Sequence, residues 1–96
     1  MPTFVCLVDL TDQGVQNVKE SPQRFEAFQA MVEMEGIEVK SVYYTQGQFD
    51  MVVILEGSDE TAMVSLLKLV SLGNARVQTM RAFSVDEMKG FISMMQ

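Results

Sequence analysis

Histidine and tryptophan are both missing from the 96 residues of this chain, and cysteine occurs once, as Cys6. Without histidine, no side chain of ordinary pKa near neutrality is at hand as a general base. Ser-His-Asp and Cys-His arrangements are excluded, as is the commonest metal ligand. A single cysteine cannot close an internal disulfide, which fits a reducing compartment. Positive charge is scarce: seven Lys and Arg stand against thirteen Asp and Glu, for a net charge of −6. Phosphate-bearing surfaces require a basic footprint, so neither nucleic acid nor an anionic membrane is expected as a partner. No apolar run approaches the roughly 20 residues of a membrane helix, and no basic-then-apolar leader opens the chain. A cytoplasmic location is the expectation that remains. Metal-loop and phosphate-cradling spacings are also lacking. Glu33, Glu35, Glu38, Asp59 and Glu60 read as solvated surface, and Gly14, Gly36 and Gly73 form no nucleotide motif. No metal or cofactor is expected.

What the chain does have is apolar surface, at 48% of its residues, which excludes disorder. Its length suits a single domain over residues 1–96. A domain of this size buries only about 60–65% of the surface its unfolded form exposes, so its core is thin.

Thr3–Leu10 (TFVCLVDL) is rich in Val and aromatic residues and predicts a strand that is largely apolar on both faces. A polar connection follows, with a turn signal at Gly14 and room for one short helical turn. Ser21-Pro22 predicts a helix start, with Ser21 at the cap and Pro22 at the first helical position. That helix runs to Glu35 and stops at Gly36, with Phe25, Phe28, Met31 and Val32 on one face. Ile37–Gln46 predicts a second strand of poor alternation, suited to an edge or a pocket wall. Gly47 and Gln48 turn the chain into a third strand, Asp50–Glu56. Gly57-Ser58 opens a second helix, with Asp59 and Glu60 in its first turn and Ala62, Met63, Leu66, Leu67 and Val70 as its expected buried stripe. Gly73-Asn74 ends it, and Ala75–Phe83 predicts a fourth strand. Ser84 with Glu87 has the spacing of a capping box, opening a last helix that carries Met88, Phe91, Ile92 and Met95 on one side.

The order βαββαβ plus a helix predicts an α+β, ferredoxin-like fold: a four-stranded antiparallel sheet with two helices on one face. The two central strands are apolar on both sides, so the uncovered face is a contact site. A second copy of the chain, related by a two-fold axis, is the simplest cover. A homodimer, or a higher oligomer built from it, is therefore expected.

Several side chains are candidates for chemistry. Asp50 either accepts hydrogen bonds from turn amides or lies at a pocket mouth as a base or ligand acceptor. Gly47 supplies a positive φ at the hairpin in both readings, and Phe49 packs beside it. Tyr43 and Tyr44 are adjacent on a strand and point to opposite faces, so one of them lines any given cavity. Each is either packing or a phenol that orients a polar ligand. Arg76 and Arg81 differ by five residues and also face opposite ways. Either one pairs with Asp9, Asp50 or Glu56, or clamps an anionic ligand. Cys6, among apolar neighbours, reads as a small hydrophobe. The nine methionines read as core and interface filler, or as a soft pocket.

The second hairpin carries a glycine, an aromatic residue and an aspartate, Gly47, Phe49 and Asp50 in QGQFD. Together with FVCLVDLTDQG, NVKESPQR and SLGNARVQTMRAF, it resembles the GYD-domain family of small bacterial proteins over nearly the whole length. Phe49 stands where the family name implies tyrosine, so a phenol hydroxyl is lacking there. The resemblance implies a dimeric α/β-barrel and adds little about function, because fold does not fix function.

Three function classes stay open. One is a homodimeric domain that binds a small molecule or regulates. Another is a cofactor-independent oxygenase or isomerase on a small aromatic or enolisable substrate, with Asp50 or Asp9 as base assisted by Tyr43 or Tyr44. The third is a structural oligomerisation module.

Overall fold

The computed structural model describes residues 1–95. It contains strands β1 (Thr3–Leu10), β2 (Glu38–Tyr44), β3 (Met51–Glu56) and β4 (Ala75–Ala82). The helices are α1 (Asp12–Gln16), α2 (Ser21–Met34), α3 (Asp59–Ser71) and α4 (Val85–Ser93). A 3₁₀ turn at Val18–Glu20 links α1 to α2. The strands form one antiparallel sheet in the order β2-β3-β1-β4, which makes this a ferredoxin-like α+β fold with an added helix. The two strands that are apolar on both faces are the central ones.

Strand register divides the sheet into two faces. Phe4, Cys6 and Val8 of β1 lie level with Leu55, Val53 and Met51 of β3, and all six are buried beneath α2 and α3. Phe28 and Val32 of α2, Ile37, Ala62 of α3 and Ala75 complete this core. On the opposite face Val5 and Leu7 lie level with Ile54 and Val52, and only half-buried in the single chain. Around them stand Met80, Gln78 and Arg76 of β4 and Tyr43 and Ser41 of β2. Val5 and Leu7 thus share the open face.

The helix ends mostly follow their sequence signals. Ser58 caps α3 by accepting the amide of Thr61 at 3.1 Å. Ser84 and Glu87 close both halves of the capping box on α4, at 3.0 and 2.9 Å. The Ser84 amide, donating to the Glu87 carboxylate, holds that carboxyl below its ordinary range, with the Ser84 hydroxyl, Arg81 and the chain amino terminus helping more weakly. Gly36 ends α2 at φ 93° and Gly47 makes its turn at φ 124°, both values that favour glycine.

Three expectations need correction. Ser21 does not cap α2. It is the first residue of the helix, Glu20 stands at the cap position, and the Ser21 hydroxyl is instead bonded to that of Tyr44. Gly14 is not at a turn. It is buried in α1, pressed against the Asn74 carbonyl, where a Cβ would collide with the backbone. The stripe that α3 buries is rotated from the expected one. Ala62 and Ser65 are fully covered, with Leu66 and Leu69 packed against the core, while Met63, Leu67 and Val70 face outward. Ser65 tolerates burial because its hydroxyl donates to the Thr61 carbonyl at 2.8 Å.

β2 is an edge strand, as its alternation suggested, and its pairing with β3 is interrupted between Val39 and Ser41 by an extra residue. Lys40 occupies that irregularity and reaches Glu38 at 3.3 Å and Glu56 at 3.9 Å.

Candidate functional site

The helices α2 and α3 stand apart above the sheet and leave a cleft of about 500 Å³ between them. Its floor is Cys6 and Val8 of β1, Met51 and Val53 of β3, and Ala75 and Val77 of β4. One wall is Phe25, Phe28 and Met31 of α2, and the other is Leu66 and Leu69 of α3. Arg24, Lys68 and Asn74 also border it, but their polar ends are engaged elsewhere. Arg24 donates to the Asn17 carbonyl at 2.7 Å, Lys68 pairs with Glu35 at 2.6 Å, and the Asn74 side chain accepts from Gln13 at 3.2 Å.

The cleft is therefore a soft apolar hollow. Phenylalanine and methionine walls adapt to the shape of a guest, because methionine is unbranched and polarizable. Its lining includes no aspartate, glutamate or tyrosine. The one titratable group on its floor, Cys6, is driven upward from its ordinary pKa by burial, and a weak contact from the Thr79 hydroxyl offsets this only in part. That thiol stays protonated at neutral pH and is a poor nucleophile.

Of the side chains singled out in the sequence, Cys6 lies on the cleft floor, whereas Asp50, Phe49, Tyr43, Tyr44, Arg76 and Arg81 do not border it. Asp50 lies in the loop before β3, where its carboxylate accepts the backbone amide of Leu10 at 2.8 Å, at the end of β1, rather than amides of its own turn. Its backbone amide donates to the Val8 carbonyl, also at 2.8 Å. The loop that carries Gly47 is closed by the Thr45 hydroxyl, which donates to the Phe49 carbonyl at 2.6 Å. Tyr43 and Tyr44 do take opposite faces: Tyr43 stands exposed on the open face across from Val52, and Tyr44 turns toward α2 and meets Ser21 at 2.8 Å.

The two arginines also diverge. Arg76 lies on the open face directly across from Asp9. Arg81 pairs with Asp59 at 3.8 Å, not with Asp9, Asp50 or Glu56. Its guanidinium lies 5.5 Å from the Phe4 ring centre and 4.7 Å from that of Phe83. Among the described residues, no group of three or more Cys, Asp or Glu side chains is placed to hold a metal ion. No helix among them is long and apolar enough to cross a membrane.

A cavity between sheet and helices suits the ligand-binding reading of the sequence, but its lining is not assigned there: Phe25, Phe28, Met31 and Leu66 are expected on apolar helix faces, and Leu69 is not singled out. The available signal was α3 itself, which carries apolar side chains almost all round rather than along one stripe.

The family model of the GYD domain matches residues 4–92, nearly the full span of the fold just described. This chain belongs to the GYD-domain family. The GYD domain here is 30% identical over 90 residues to a protein of Thermus thermophilus named glutamine synthetase and cystathionine beta-lyase binding protein. The match covers 92% of this chain and 95% of that relative. No solved structure matches this GYD domain.

Proposed function

We propose that this GYD domain is a homodimeric binding protein that regulates a metabolic enzyme by contact, and that the α2–α3 cleft takes a small apolar ligand. The observation that carries this reading is the cleft: a hollow of ligand size walled by Phe25, Phe28, Met31 and Leu69, with no carboxylate or phenol in its lining. Such a site can hold a molecule by shape and apolar contact. It lacks a group that could take a proton from an enolisable or aromatic substrate, which weighs against the oxygenase or isomerase reading at this site. The two carboxylates that could serve as bases, Asp9 and Asp50, lie outside the cleft.

The name of the Thermus relative supports the regulatory half, since that protein is described by the enzymes it binds. The homodimer rests on the open sheet face. There an apolar centre of Val5, Leu7, Val52 and Ile54 is ringed by Glu38, Asp9, Arg76 and Gln78, the arrangement of an apolar core and polar rim common at protein interfaces. A cytoplasmic setting accords with the single free thiol of Cys6.

Two measurements test the proposal. The purified chain is titrated with the apolar fluorophore 1-anilinonaphthalene-8-sulfonate, alongside the cleft-filling variant Leu69→Trp. Saturable binding by the parent that the variant lacks is expected, and equal binding by both sinks the ligand site. The immobilised chain is also offered glutamine synthetase and cystathionine beta-lyase from its own organism. Binding to either is expected, and binding to neither sinks the regulatory reading.

A further inference from the structure

The charge that borders the α2–α3 cleft is of one sign. Acidic side chains outnumber basic ones thirteen to seven in the chain, yet the two charged residues in the lining are the cations Arg24 and Lys68. An anion entering this hollow meets no carboxylate at its border.

The two cations differ in what they have left to give. Lys68 is exposed and already neutralised by Glu35 at 2.6 Å. Arg24 is half-buried and forms no ion pair among the described residues. Its bond to the Asn17 carbonyl at 2.7 Å occupies a single N–H of the five in a guanidinium and neutralises none of its charge. A cation partly withdrawn from water attracts a counter-charge more strongly than one in bulk solvent. A planar guanidinium also fits the two oxygens of a carboxylate better than an ammonium does.

Position separates this charge from the apolar walls. Arg24 lies in the first turn of α2, and Asn17, which fixes its side chain, is the cap that ends α1. α1 leans on the carbonyl of Asn74, just before β4, through Thr11 and Gly14. Leu10 and Asn74 border the cleft at this end. Phe28 and Met31 stand about one and two turns further along α2. The cleft thus has a cationic end and an apolar length, which suits a molecule with one charged head and an apolar body.

We propose, on the reading of this cleft as a ligand site, that its ligand is a small amphipathic carboxylate: an aliphatic or aromatic acid whose body lies between Phe28, Met31 and Leu69 and whose carboxylate meets Arg24. Apolar area within the cleft supplies affinity, and one charge-assisted contact at its end tells the acid from the corresponding ester, amide or alcohol.

Two fluorophores of one skeleton test it. 1-Anilinonaphthalene-8-sulfonate carries an anionic group, and N-phenyl-1-naphthylamine is the same body without it. Both are expected to bind the parent chain saturably, and decanoate is expected to displace both. Arg24→Gln should weaken the sulfonate and decanoate by about tenfold or more, the size of effect expected of a charge-assisted contact, and leave the naphthylamine unchanged. Arg24→Lys, which keeps the charge and loses the fork, should weaken them less. Lys68→Gln, whose charge Glu35 already meets, should change none of the three. Unaltered sulfonate and decanoate affinities in Arg24→Gln overturn the proposal, and with the naphthylamine still bound the cleft keeps its standing as an apolar site. An equal loss of all three in Arg24→Gln also overturns it, since Arg24 would then hold the shape of the cleft rather than meet a charge. No saturable binding of either fluorophore by the parent overturns both readings together.

Discussion

The carboxylate of Asp50 holds the backbone amide of Leu10 at 2.8 Å, across 40 residues of sequence. The bond ties the loop before β3 to the end of β1, where the chain leaves the sheet for α1. Asp50 thereby joins the two central strands at one end.

Replacing Asp50 tests that role. Asp50→Ala leaves the Leu10 amide without its partner and should cost about 1–2 kcal/mol, a fall of several degrees in Tm for a domain this size. Asp50→Asn keeps an acceptor oxygen and should lose less. Thermal denaturation of both variants checks this. Equal Tm for Asp50→Ala and the parent would show the bond to be inconsequential and return Asp50 to candidacy as a ligand group.

Tyr44→Phe removes the partner of a buried hydroxyl. Ser21 is only 5% exposed, and its bond to the Tyr44 hydroxyl at 2.8 Å joins α2 to the edge strand β2. The variant should lose about 0.5–1.5 kcal/mol in urea denaturation. The double variant Ser21→Ala with Tyr44→Phe should recover part of that loss, since no orphaned group remains. Losses that simply add would mean the two hydroxyls act independently.

Leu7 and Val5 occupy the open face on the same side of β1, level with Val52 and Ile54. A glutamate at either position would be buried without a partner in a sheet-to-sheet dimer. Leu7→Glu and Val5→Glu should therefore halve the mass seen by light scattering while leaving the monomer folded, because both positions are only half-buried in the single chain. An unchanged mass for both variants would remove the open face as an interface.

Cys6 gives the fold a sensitivity to alkali. Burial raises its pKa above the ordinary 9.0, so the folded chain keeps this proton at a pH where the unfolded chain has begun to lose it. The stability this contributes is complete below the ordinary thiol range and is lost as pH rises through it. Cys6→Ala should flatten the fall in stability between about pH 8 and 10, although cavity formation lowers its stability at every pH. A parallel fall in both proteins would assign the alkaline sensitivity to other groups. In mild alkali a thiol reagent should modify Cys6 only as fast as the chain unfolds.

The two-sided apolarity of β1 and β3 was legible because a strand shows its faces by simple alternation, and both strands break that alternation in the same way. The caps at Ser58 and Ser84 were legible because a cap is a local arrangement of four residues. Ser21 misled because Ser-Pro fits a cap locally, while Tyr44, distant in sequence, claims the hydroxyl. α3 misled for a related reason. Apolar residues cover more than one of its sides, and only the seating of Ala62 and Ser65 on the sheet decides which stripe is buried. The cleft left only a faint trace, in the apolar side chains that surround α3 on more than one side. It exists because two helices stand apart, and no single residue encodes a distance between helices.

The interruption in β2 bears on how this sheet can grow. A strand-by-strand polymer needs two receptive edges, one to give and one to take. At β2 the extra residue near Lys40 throws the outer row of amides and carbonyls out of step, and a lysine flanked by Glu38 and Glu56 keeps that margin hydrated. β4 keeps a regular eight-residue register with β1. The sheet is thus one-sided toward strand addition: an added strand would find a regular ladder at β4 and a broken one at β2, so growth through both edges at once is blocked.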